Sequence, residues 1–360
     1  MKLLFHVQHL LGIGHAKRAA ALVRAFRRRG IETTVLSGGH PVPGLVFEGD
    51  VVQLPPVRAT DATFRNLVGP DGEPFDAALA ARRRAMVLDA LVRVSPDLLL
   101  VETFPFGRRA FRAELMPLLE SGVRVAVSLR DIVVAKDAAR TEEAAFQVRR
   151  HVDAVLVHGD PGFVKLGESF PAAAEIADRI HYTGYVYEPA EGQRDGPQGE
   201  VVVSAGGGAV GARLLRTALE ARPLTRHRDR PWRLLTGPNF PESEAGALAG
   251  DGVTVERFRN DFPFLLRGCA VSVSQAGYNT VLDLLWARPP CVVVPFAAAG
   301  ETEQTLRAAR LGCPVVEERE LTPARLAAAI DAASPPRACV ALDGAARSAD
   351  LLDRMFKPRR

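Results

Sequence analysis

Short apolar runs alternate along the chain with longer stretches whose apolar positions recur at helical spacing, and glycine-containing turns separate them. Strands covered by crossover helices on both faces read as continuous apolar runs, so this rhythm predicts parallel sheets wound on both sides. In the first half the strand candidates are residues 3–8, 31–36, 98–102, 123–128 and 154–158. Helical patterns at 15–29, 75–94 and 111–119 alternate with them; the first places Ala19, Leu22, Val23 and Phe26 on one face, and Gly30 stops it. The stretch 187–199 loses all apolar periodicity and is rich in proline and glycine, as a linker would be. Beyond it the alternation restarts, with strands at 200–204, 232–236, 253–257, 270–274, 291–295 and 314–316 and a helix at 212–220. The expected fold is α/β: a Rossmann-like domain over 1–186, the linker, a second Rossmann-like domain over 200–342, and a last helix within 343–360 packing back on the first domain. Two doubly wound domains of this kind face a cleft, and their ligands bind beyond the carboxyl ends of the strands.

Composition removes several function classes. Of the 360 residues 47% are hydrophobic and 24% charged, which is ordinary for folded domains and excludes global disorder. Aromatics make up only 6% and the net charge is +4, which argues against stacking platforms for single strands, so no nucleic-acid partner is expected. No uncharged run approaches the roughly 18–20 residues that span a bilayer. The apolar start has no small-residue cleavage site, so a soluble, cytoplasmic chain is expected, with membrane association not indicated. Cys269, Cys291, Cys313 and Cys339 form no C-x-x-C pair; they are expected to be reduced core residues, and no metal or cofactor is expected.

Three turns carry candidate chemistry. Gly12, Ile13, Gly14 and His15 follow the first strand and open a helix. Glycines let backbone approach a ligand, helix-start N–H groups favour an anion, and an imidazole placed there can act as a base near neutral pH. The same pattern equally suits a histidine that merely caps a helix, and His6 and His9 beside it read as structural. Gly206, Gly207 and Gly208 follow the first strand of the second domain, where successive N–H groups suit a diphosphate, although a plain flexible turn explains many such runs. The third turn, Ser274, Gln275, Ala276 and Gly277, joins a strand to a helix carrying Asp283, and Glu303 and Gln304 follow further on. An acidic side chain suits a ribose diol, and a carboxylate next to an amide suits sugar hydroxyls; the alternative is a solvated loop and a charged helix surface.

The order of these features in the second half resembles the donor-binding domain of GT-B glycosyltransferases, especially the MurG-like family that transfers N-acetylglucosamine in peptidoglycan synthesis. The resemblance implies that backbone at Ser274, Gln275, Ala276 and Gly277 holds the donor diphosphate, that Asp283 holds the ribose, and that Glu303 and Gln304 contact the sugar. Phe258 lies in a segment similar to the one that walls the uracil pocket. The Gly12-x-Gly14-His15 turn matches the family too, and as Gly12-Ile13-Gly14-His15-Ala16-Lys17-Arg18 it also resembles the turn of PseG-like UDP-sugar hydrolases. The segments containing Glu102 and those containing Arg130 and Asp131 resemble acceptor-side segments of a group of bacterial glycosyltransferases. Three positions depart from the pattern: Gly184-Tyr185-Val186-Tyr187 lacks the family's arginine, the first sugar-contacting glutamine is Glu303, and the ribose glutamate is shortened to Asp283.

The function these features imply is transfer of a sugar from a nucleotide-diphosphate donor, a UDP-sugar, to a small-molecule, peptide or lipid-linked acceptor. His15 would be the base, the anomeric centre would invert, and no metal would take part. A UDP-sugar hydrolase or epimerase on the same scaffold is the alternative, followed by a non-catalytic nucleotide-sugar-binding subunit.

Overall fold

The structure is a computed structural model that describes residues 1–61, 66–134, 137–189, 198–206, 211–237, 240–257, 259, 261–296 and 303–356. It comprises two compact units, Met1–Tyr187 with Ala341–Arg360, and Glu188–Val340.

The first unit runs β1 (Lys2–Val7), α1 (Gly14–Arg28), β2 (Glu32–Ser37), β3 (Asp50–Gln53), the short pair β4 (Arg58–Ala59) and β5 (Leu67–Val68), and α2 (Ala77–Val94). It continues through β6 (Leu98–Glu102), α3 (Arg112–Leu119), β7 (Arg124–Arg130), α4 (Ala138–His151), β8 (Ala154–His158) and β9 (Ile180–Tyr182). Seven strands form one sheet in the order β3-β2-β1-β6-β7-β8-β9, every pair parallel. Alternate residues of each strand feed two cores. Leu4, Leu99, Val125 and Val155 pack towards α2 and α3, whereas Leu3, Phe5, Leu100 and Ala126 pack with Leu22 and Phe26 of α1. Each such large side chain contributes roughly 1.5–3 kcal/mol on burial. Gly30 takes a left-handed φ of +76°, which ends α1 where the sequence places its stop.

The second unit runs β10 (Val201–Ser204), α5 (Ala212–Ala221), β11 (Trp232–Leu235), α6 (Glu242–Gly246), β12 (Val253–Glu256), α7 (Phe262–Gly268), β13 (Val271–Ser274), α8 (Tyr278–Ala287), β14 (Cys291–Val293), α9 (Glu303–Leu311) and α10 (Pro323–Asp331). Its five parallel strands lie in the order β12-β11-β10-β13-β14. The last helix, α11 (Gly344–Phe356), belongs to the first unit: Leu352 and Phe356 join the α1 core, and Arg29 pairs with Asp350 and Asp353, each at 3.3 Å.

Both sheets reverse strand order in the middle, between β1 and β6 and between β10 and β13. Such switch points open a crevice at the carboxyl ends of the two flanking strands. Two sequence expectations need correcting. The strand expected at 314–316 is only an isolated parallel bridge between Val293 and Val315. Cys269, Cys291 and Cys313 are buried, but Cys339 is exposed, because it lies in a stretch after α10 without regular structure.

Candidate active site

At the β1/β6 switch point α1 starts at Gly14, and its N-cap residue Ile13 makes no side-chain capping bond. His15 therefore does not cap the helix. Its Nδ1 lies 2.8 Å from Oε1 of Glu102, the last residue of β6, and Arg18 one turn further along α1 donates to the same oxygen at 2.7 Å. The ionised carboxylate at 2.8 Å favours the imidazole proton on Nδ1, which leaves the Nε2 lone pair for a substrate proton, although an Arg18 guanidinium nitrogen also lies 3.1 Å from Nδ1. Burial alone would raise the Glu102 carboxyl, but His15 and the guanidiniums of Arg18 and Arg108 hold it well below the usual carboxylate range. Burial also pushes the His15 imidazole below its ordinary value, against the opposing attraction of Glu102, while about a quarter of the side chain (24%) remains accessible. A neutral imidazole oriented by a buried carboxylate is a competent general base. Gly12 has open space where a Cβ would project.

The other acceptor-side candidates divide. Arg130, at the end of β7, is half-buried and close enough to Arg108 to act on it as a like charge. Asp131 is fully buried; Oδ1 accepts from Ile132 N at 2.9 Å and Oδ2 from the Tyr185 hydroxyl at 3.0 Å. It locks the turn after β7. The 184–187 segment, which lacks the family's arginine, supplies that tyrosine. His6 is engaged with Glu114 at 3.0 Å, and the His9 ring fills the space beside Gly39, in keeping with structural roles. Sequence reasoning gave no role to Arg18, although it named it in the turn, and missed His158. Arg18 stands at i+3 from His15, a spacing that puts both on one helix face. His158 is buried between Ser128 Oγ at 2.9 Å and Thr183 Oγ1 at 3.0 Å, and burial, reinforced by Arg18, pulls its imidazole down to about 3.

In the second unit Ser204 and Ser274 are register partners at the ends of β10 and β13. Gly206 adopts a left-handed φ of +70° and donates to Ser204 Oγ at 3.3 Å; a Cβ built on it would lie 3.3 Å from Gln275 Oε1. The two glycine-bearing turns therefore meet. Helix α8 opens after Gly277 with no side-chain cap, which suits an anion at its first N–H groups. The Ser274 hydroxyl is buried without a partner among the described residues. Gln304 Oε1 accepts from Ala276 N at 3.1 Å and Phe296 N at 3.0 Å. This bond removes the Ala276 N–H from the expected diphosphate donors, and it fixes the orientation of the Gln304 amide. Glu303 pairs with Arg307 at 3.3 Å, whose guanidinium lies over the Tyr278 ring. Asp283 is half-buried on α8. Gly207, Gly208 and Phe258 lie outside the described residues.

Comparison with known proteins bears on the fold and on the second half of the chain. The chain is similar to a kitacinnamycin glycotransferase structure, at 16% identity with 99% of each chain covered and a TM-score of 0.65. It is similar to MurG of Acinetobacter baumannii, at 16% identity with 99% of this chain and 100% of that one covered and a TM-score of 0.62. The fold is that of the GT-B glycosyltransferases, as the sequence implied. Within it, residues 202–348 match the glycosyltransferase family 28 C-terminal domain. A curated relative from Brucella anthropi, UDP-N-acetylglucosamine--N-acetylmuramyl-(pentapeptide) pyrophosphoryl-undecaprenol N-acetylglucosamine transferase, is 34% identical over 137 residues. That alignment spans 35% of this chain and 36% of the relative, so the chain covers about a third of the length of the curated relatives it matches. The similarity to these transferases lies in the second half of the chain. Among the described residues, no helix is long and apolar enough to cross a membrane.

Proposed function

We propose that the protein is a glycosyltransferase that moves a sugar from a UDP-sugar to an acceptor hydroxyl, with inversion at the anomeric carbon. The observation that carries this reading is the 2.8 Å contact between His15 Nδ1 and Glu102, which leaves Nε2 as the base. The acceptor hydroxyl gives its proton to His15 Nε2 as its oxygen attacks the anomeric carbon, and the bond from that carbon to the diphosphate oxygen breaks. Negative charge develops on the leaving diphosphate. Backbone N–H groups at the start of α8 are read as its donors, with Gly206 joining them only if its N–H turns from Ser204 Oγ, so the reaction is read as needing no metal. Preorganised donors of this kind are worth ~3–4 kcal/mol each. The MurG-like order of the second half supports a nucleotide-sugar donor, with Asp283 on the ribose and Glu303 and Gln304 on the sugar.

The first test is binding. UDP or a UDP-sugar at 100 times its dissociation constant is expected to stabilise the protein by ~2.7 kcal/mol, seen as a rise in melting temperature. Stabilisation by TDP- or GDP-sugars but not by UDP compounds would overturn the base assignment. Mass spectrometry of the products then separates transfer from hydrolysis or epimerisation: without an acceptor, neither free sugar nor an epimer is expected.

A second expectation concerns Asp283. Replacing it with alanine removes a charged acceptor from the ribose hydroxyls and is expected to weaken UDP binding by about 1.5–3 kcal/mol, as read by calorimetry. Unchanged affinity in a folded variant would remove Asp283 from the site.

A further inference from the structure

The Glu102-Thr103-Phe104-Pro105-Phe106-Gly107-Arg108 segment does more than present Glu102. Two of its non-glycine residues, Thr103 (φ +67°) and Arg108 (φ +61°), sit in the left-handed region. Strain of this kind persists where surrounding structure enforces it and gathers at functional sites. The enforcement is visible: Phe104 and Phe106 are buried, Phe106 packs on Phe170 with ring centroids 5.0 Å apart, and Gly107 N donates to Thr103 O at 3.2 Å. A Cβ on Gly107 would come within 2.9 Å of the Thr103 methyl, so a larger residue there would have to displace that side chain. The platform keeps Arg108 close enough to Glu102, Arg18 and Arg130 for their charges to interact, and Glu102 is the one opposite charge among these.

Glu102 Oε1 is already taken by His15 and Arg18. Around it, Arg18 Nε, Arg108 Nε, Thr103 Oγ1 and Glu102 Oε2 are all buried without a hydrogen-bond partner among the described residues. Buried polar atoms are partnered in roughly nine cases out of ten, so four orphans in one cluster mark a place built for something else. The two guanidinium N–H groups require acceptor oxygens, and guanidinium forks fit the oxygens of carboxylates and phosphates. Glu102 Oε2 requires a donor, such as a hydroxyl of a bound molecule.

We infer that the 103–108 platform holds an oxyanion of the acceptor, a carboxylate or a phosphate, with Arg108 as the specificity-determining residue, next to the hydroxyl that His15 deprotonates. The inference rests on the reading of His15 as the acceptor's base, but its test needs neither donor nor turnover.

The test follows His15 in the full chain by 13C NMR of its Cε1, identified by its loss in His15→Gln. The groups acting on His15 are Glu102, Arg18 and Arg108. The probes are sodium sulfate and sodium acetate against sodium chloride at equal ionic strength. A bound anion nearby favours the imidazolium, so the titration midpoint of His15 is expected to rise by about one pH unit in sulfate or acetate and not in chloride. Sulfate acting alone identifies a phosphate-type acceptor, and acetate acting alone a carboxylate. Arg108→Gln is expected to abolish the rise, and Arg108→Lys to weaken it while keeping the charge, with the His6 resonance reporting an intact fold. An equal response to chloride, or Arg108→Gln and Arg108→Lys variants that respond like the wild type, overturns the inference and leaves a water-filled site. Should His15→Ala retain full turnover while the sulfate or acetate response persists, the base assignment fails and the oxyanion site stands.

Discussion

Replacing His15 with alanine is expected to lower turnover about 10²–10⁴-fold while leaving UDP affinity nearly unchanged, since the nucleotide is assigned to the second unit. The pH profile carries more information than the rate. The base works only when neutral, so the wild-type rate falls on the acid side through the His15 pKa. The sequence alone suggests a midpoint near neutrality. The structure moves it down, because burial outweighs the attraction of Glu102 and brings the imidazole below its ordinary 6.5. The acid limb is therefore expected below pH 6.5, and His15→Ala should lose it. Glu102→Gln removes the charge that favours the imidazolium formed in the transition state, so turnover falls and the limb moves further down. Residues that act as a unit are not additive, and the double variant should be little slower than His15→Ala alone. Near-normal turnover of a folded His15→Ala at neutral pH would sink the base assignment.

The β/α alternation was legible because strands buried on both faces leave uninterrupted apolar runs, such as Leu98–Glu102 and Ala154–His158, which have the bounds expected. Elements with a weak apolar signature were not. Helix α4 buries Thr141, Ala144, Ala145, Gln147 and Val148, so its inward face is mostly small or polar and gives a weak periodic signal. The edge strand β3 reads DVVQ and is largely accessible. The site shows the same division. Local features stand out in sequence: the glycine turns, and His15 at a helix start. The partnership of His15 with Glu102 does not, because it joins residues 87 positions apart and exists only because β6 lies beside β1. The bond from Gln304 to Ala276 spans 28 positions in the same way. A side chain read as a sugar ligand proves also to be a brace for the turn.

Arg83 is the extreme case, the middle of an Arg-Arg-Arg run on α2 whose two neighbours are exposed while it is fully buried. Its guanidinium binds Glu114 through two bonds at 2.8 and 2.6 Å, lies over the Phe111 ring, and donates to Gln8 Oε1 at 2.8 Å, Gly38 O at 3.0 Å and Pro55 O at 2.6 Å. These bonds tie α2 and α3 to the end of β1 and to the loops after β2 and β3. Burial would raise the Glu114 carboxyl, but Arg83 and His6 bring it down to about 2. Its folded value lies below its unfolded value, so the linked stability is present above pH 4.5 and is lost as pH falls from there towards 2. The shift corresponds to about 3 kcal/mol. Arg83→Met keeps the volume but strands the carboxylate, and is expected to cost about 3–5 kcal/mol, measured by denaturant unfolding at pH 7. The double variant Arg83→Met, Glu114→Leu removes both charges and should recover much of that loss, since apolar replacements of buried ion pairs are often neutral or stabilising. If Arg83→Met alone costs less than about 1 kcal/mol, solvent reaches Glu114 and the network is not a structural lock.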